Sequence, residues 1–75
     1  MERELRVLLE SFRCARDTGN SEDWDNQVRK LQSSIYDGVF SGVALDNMLT
    51  VYQSSRCASK DLVILTLDLL LQSIQ

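Results

Sequence analysis

Apolar residues in the first quarter of the chain recur in helical register. Leu5, Leu8, Leu9 and Phe12 follow the i, i+3, i+4, i+7 spacing of one helix face, which predicts a helix over 2–17. Glu2 and Glu4 stand at its start and Arg13 and Arg16 near its end, in the sense that complements the helix dipole. Gly19 follows as a stop. A second stripe, Trp24, Val28, Leu31 and Ile35, predicts a helix over 22–36. Asn20 or Ser21 can cap it, with Glu22 and Asp23 in the first turn, and Asp37-Gly38 ends it. Leu45, Met48, Leu49 and Tyr52 make a third face. Ser41 can serve as its N-cap, giving a helix over 42–53. The alternative start near Asp37 would run through Gly38 and Gly42, each at up to ~1 kcal/mol relative to alanine, so the later start is preferred. Residues 54–58 then read as a loop. Ser59 caps a fourth helix over 60–74, with Asp61 in its first turn.

The fourth segment, DLVILTLDLLLQSIQ, carries more apolar surface than one helix face can hold. At about 100° per residue, Val63, Ile64, Leu67, Leu70, Leu71 and Ile74 form one broad face. Leu62, Leu65 and Leu69 form a second ridge. Thr66 and Ser73 separate the two on one side, and Asp61, Asp68, Gln72 and Gln75 on the other. A surface helix needs one apolar face. Either this helix is central and gripped from both sides, or its second ridge meets another chain. Val7 and Cys14 repeat the theme on a smaller scale, opposite the main stripe of the first helix. Among the aromatics, Trp24 is in phase with its stripe and reads as core. Tyr36 and Phe40 flank the glycine-bearing break and read as exposed.

The fold class is thus all-α: a single domain over 1–75, a small bundle of four short helices. The short links make successive helices antiparallel. A chain of 75 residues buries only about 60% of its unfolded surface, and such a core often needs support. The bundle is therefore expected to be completed by a partner chain or by self-association. The absence of proline and the three glycines favour helix over a turn-rich β fold. Apolar and charged fractions of 44% and 25% argue against disorder.

A net charge of −3 without histidine suits a polyanion poorly. Nucleic-acid binding would require Arg13, Arg16, Arg29, Lys30, Arg56 and Lys60 to gather on one side. Fourteen charged residues fall in 1–37 and five in 38–75, so the second half looks sheltered. The N-terminus is charged from residue 2 and lacks a signal-peptide core. No apolar run approaches the ~20 residues of a membrane span. A cytoplasmic protein with no membrane association is the expectation. Cys14 and Cys57 fit free thiols in a reducing compartment, although a bridge between them is open.

No pattern of catalytic or metal-binding chemistry emerges. Glu22, Asp23 and Asp25 occupy the first turn of a helix, where capping explains them. Their spacing is not a calcium loop. Cys14 and Cys57 have no histidine partner and no CxxC exists for zinc. Ser33-Ser34 and Ser54-Ser55 lack a neighbouring base, and no glycine loop could cradle phosphate. The expectation is a non-enzyme with no cofactor and no metal.

Two stretches carry a resemblance. LLESF, from Leu8, followed after a polar spacer by KLQSSIYDGV, from Lys30, resembles the pattern of the L27 domain. That family has a leucine-rich first helix and a leucine–polar–serine turn leading into an apolar third helix. The resemblance spans about residues 4–43. It implies a heterodimerisation module of scaffold proteins whose paired helices complete a four-helix bundle. Leu8, Leu9, Leu31, Ile35 and Val39 would then be the pairing and core positions. Gly38 and Gly42 depart from the family's continuous third helix, and the fourth helix has no counterpart in the pattern.

The functional expectation is a module that binds a helical protein partner, in a hetero- or homo-oligomer, through Leu62, Leu65 and Leu69, with Val7, Tyr36 and Phe40 contributing. The alternatives are a small chaperone or adaptor that shields a partner's helix, a capping fragment of a helical repeat array, and nucleic-acid binding.

Overall fold

The computed structural model describes residues 2–57 and 59–74; the side chain of Cys57 lies outside the described part. Four helices follow in order: α1 (Glu2–Asp17), α2 (Ser21–Tyr36), α3 (Gly42–Cys57) and α4 (Lys60–Ser73). Each packs on two neighbours, so the bundle closes as a ring in which α1 meets α4 as well as α2. The radius of gyration is 11.3 Å, against about 11 Å for a close-packed domain of this length. The chain thus forms the small all-α bundle of four helices that the spacing predicts.

All four helices feed one core. Phe12, Leu31, Met48, Val51, Val63 and Leu67 are its most deeply buried side chains, with at least one from each helix. The stripe of α1 faces inward as expected, with Leu5, Leu8, Leu9 and Phe12 buried; of the broad face of α4, Val63, Ile64, Leu67 and Leu71 are buried, Leu70 is half-buried and Ile74 is exposed.

Local chemistry fixes the helix ends. The Asn20 side chain accepts from the Glu22 amide at 2.8 Å and caps α2. At the close of α1, the Thr18 hydroxyl donates to the Ala15 carbonyl and accepts from the Asn20 amide, so one side chain links the end of α1 to the cap of α2. Ser59 caps α4 by accepting from the Leu62 amide at 3.2 Å. The end of α2 is a Schellman motif. The Gly38 amide donates to the Ile35 carbonyl and the Val39 amide to the Ser34 carbonyl. This closure requires the left-handed conformation found at Gly38, φ +79°. A β-carbon there would meet no other atom within 4 Å, so its cost is purely one of backbone conformation. Gly38→Ala is expected to lower stability by about 1–2 kcal/mol, seen in urea unfolding as a lower midpoint with an unchanged slope.

Two expectations need correction. The segment 54–57, read as a loop, continues α3 by one more turn; Ala58 of that reading lies outside the described residues. The cause is tertiary. The Trp24 indole N–H donates to the Ser55 carbonyl at 3.2 Å in a buried setting, and the Ser55 hydroxyl donates to the Tyr52 carbonyl at 2.6 Å. Carbonyls of a last helical turn have no partner within the helix, and here a side chain from α2 supplies one. The second correction concerns Phe40, expected at the surface. It is 3% exposed and belongs to the core. The turn at Gly38 reverses the chain so that the link between α2 and α3 drops this ring over the end of the bundle.

Candidate functional site

On α4, the buried residues Val63, Ile64, Leu67 and Leu71 define the inward direction. Leu62, Leu65 and Leu69 point about 180° away from it at 100° per residue. They are 49%, 52% and 56% exposed. The ridge is therefore not gripped by this chain: α1 and α3 flank α4, and its outer side faces solvent. Spaced i, i+3, i+7, the three leucines run about 10 Å along the axis at 1.5 Å per residue.

The two flanks of the ridge differ. On the α3 side stand Thr66 and Ser73. Their hydroxyls donate back to the Leu62 and Leu70 carbonyls of α4 itself, each at 2.8 Å. This flank is uncharged. On the α1 side the seam is lined with ion pairs. Arg16 lies 3.1 Å from Asp61 and 3.2 Å from Asp17. Arg13 lies 3.0 Å from Glu10 and 3.9 Å from Asp68. Hydrogen bonds, first to Asp17 and then to Asp61, raise the Arg16 pKa above its ordinary value. These are exposed pairs, and each contributes little to stability.

The remaining expected contact residues lie elsewhere. Tyr36 is almost fully exposed, at the far end of α2. Val7, also exposed, lines a cleft between α1 and α2 with Leu8, Val39 and Phe40. Phe40 contributes only as a buried wall. The structure thus brings Leu62, Leu65 and Leu69 together in one strip and places Val7 and Tyr36 apart from it. Two further exposed apolar residues, Val43, which the spacing assigned to no face, and Ile74, which it assigned to the broad face of α4, line a cleft of about 190 Å³ between α3 and α4 with Leu70 and Leu5. Val43 sits in the first turn of α3 and Ile74 just past α4. The stripe of α4 therefore runs out before Ile74, which lies past the helix end and is exposed instead of buried.

The basic residues do not gather on one side. Arg13 and Arg16 belong to the α1–α4 seam, whereas Arg29 and Arg56 line the α2–α3 cleft beside Asp25. Arg56 lies 5.9 Å from the Tyr52 ring centre and the Lys60 amine 5.5 Å from that of Trp24. Cys14 carries a free, exposed thiol. Among the described residues no helix is long and apolar enough to cross a membrane, and no cluster of His, Cys, Asp and Glu has the makings of a metal site.

Of the positions implied by the L27 resemblance, Leu8, Leu9 and Leu31 lie in the core, Ile35 packs against it half-buried, and Val39 is exposed. The chain matches no protein family, no characterised protein and no solved structure.

Proposed function

We propose that this chain is a non-catalytic protein-interaction module that holds a helix of another protein along the outer ridge of α4. The observation that carries this reading is the ridge itself: Leu62, Leu65 and Leu69 half-exposed in one strip on a bundle whose own core is already closed. Helix-in-groove recognition uses anchors at this spacing. An apolar strip left in water costs free energy that a partner helix recovers. The scattered arginines and the acidic total favour a protein partner over a polyanion. The L27 resemblance implies a function of the same class, reached through other residues.

Replacing Leu65 and Leu69 together with glutamine tests the reading. Exposed side chains outside any hydrogen-bond network usually alter stability by no more than about 0.5 kcal/mol, so the variant is expected to fold like the parent by far-UV circular dichroism. The parent should associate with its partner as a defined complex in solution-mass measurements, and the variant should not. A variant that unfolds would make the ridge part of the core. A variant that binds as well as the parent would move the contact elsewhere. Either result removes the proposal.

A further inference from the structure

From the charge on the two sides of the ridge, and resting on the reading above, we infer that the occupant of α4 is a basic amphipathic helix of another protein rather than a second copy of this chain. Four carboxylates, Glu10, Asp17, Asp61 and Asp68, line the α1 side against two guanidinium groups, Arg13 and Arg16. Further along α1, Glu2 and Arg6 pair 3.8 Å apart and cancel. The excess is therefore negative. It is also presented outward: Asp61, Asp17 and Glu10 are 63–82% exposed at the side chain, whereas the two arginines are only 36–39% exposed. Asp68, at 36%, is no more exposed than the arginines, so the outward negative charge rests on Glu10, Asp17 and Asp61. Across the ridge, Thr66 and Ser73 turn their hydroxyls back onto α4 and offer no charge.

A helix laid on Leu62, Leu65 and Leu69 therefore meets a negative rim on one edge and a neutral rim on the other. The complementary ligand has an apolar stripe at i, i+3, i+7 and lysine or arginine along one edge of it. A second copy is the wrong shape electrostatically. In an antiparallel two-fold pairing of α4 with α4, the acidic rim of each chain meets the acidic rim of the other. In a parallel two-fold pairing it meets an uncharged edge. Neither arrangement gives the excess carboxylates a cation, and like charges brought together oppose association. The same rim opposes an anionic membrane surface.

Two synthetic helical peptides test the inference. They share one leucine stripe at this spacing and differ only in carrying lysine or glutamate along its edges. Binding to the intact chain is measured by fluorescence anisotropy. The lysine peptide is expected to bind about tenfold tighter, the sum of a few exposed charge contacts, and the gap should shrink as salt shortens the screening length. Asp61→Asn with Asp68→Asn should narrow the gap without abolishing binding. Leu65→Gln with Leu69→Gln should abolish binding of both peptides. Equal binding of the two peptides, lost in the leucine variant, overturns the inference and leaves the ridge reading standing. A dimer of the chain alone that dissociates in the leucine variant also overturns it, in favour of a second copy. Binding of either peptide that is indifferent to the leucine variant, or no binding at all by a monomeric chain, overturns both.

Discussion

Trp24→Ala is expected to lower stability by about 3–5 kcal/mol, the range for deleting a large buried aromatic. A domain of this length is stable by only about 4–11 kcal/mol, so the variant should lose a large part of its fold at moderate temperature. Trp24 touches every wall of one end of the bundle. Its ring meets Phe12 of α1 edge-on, with centroids 5.1 Å apart and planes at 67°. Its indole N–H closes the last turn of α3 at Ser55. The Lys60 amine, at the start of α4, lies 5.5 Å from its centre. Trp24→Phe separates these roles. It keeps an aromatic ring against Phe12 but leaves the Ser55 carbonyl without its donor, at about 1–3 kcal/mol for a buried unsatisfied group. Urea unfolding by far-UV circular dichroism gives the ranking: alanine well below phenylalanine, and phenylalanine below the parent. Equal midpoints for Trp24→Phe and the parent would show that the bond to Ser55 does not hold the end of α3.

Phe40→Ala is expected to be as severe, about 3–5 kcal/mol, although the residue lies outside every helix. Tyr36→Ala, four residues earlier and almost fully exposed, is expected to change stability by no more than about 0.5 kcal/mol. The pair makes a sharp comparison because both are aromatic and both border the same break in the chain. Thermal unfolding of the two variants side by side checks it. A loss for Phe40→Ala as small as that expected for Tyr36→Ala would mean that the link between α2 and α3 does not anchor the bundle.

These two residues also show where the sequence speaks and where it falls silent. All four helices announce their course by repeating stripes, and those stripes supply most of the core, although Leu49 and Ile74 lie exposed. Trp24 declares its burial by falling in phase with Leu31. The two ridges of α4 separate on a wheel because Thr66 and Asp68 stand between them, so the composition of the exposed strip was legible. Its exposure was not, since a strip of leucines reads the same whether a fourth helix or a partner covers it. Phe40 lies in a segment without period, and nothing local distinguishes a ring that folds inward from one that does not. Its position follows from the left-handed turn at Gly38 and the space left at the end of the bundle. The last turn of α3 was hidden for a related reason. Ser54 and Ser55 have only moderate helix preference, and the contact that secures this turn comes from Trp24, thirty-one positions away from Ser55 in the chain. The difference between the two flanks of α4 required knowing which neighbour lies on which side, because the negative excess belongs to α1 and α4 jointly.

The link between α2 and α3 has a consequence for how many chains a bundle contains. It joins two hairpins, α1–α2 and α3–α4, that hold each other through the α1–α4 and α2–α3 seams. Both seams could form equally well between hairpins of different chains, since exchanging identical elements preserves every contact except those in the hinge. What ties each hairpin to its own partner is the local turn at Gly38, φ +79°, and the ring of Phe40 buried beside it. Were that turn to straighten into one continuous helix, the second hairpin would swing out and exchange with its counterpart on another molecule. Gly38 and Phe40 thus stand at the hinge on which any such exchange would turn.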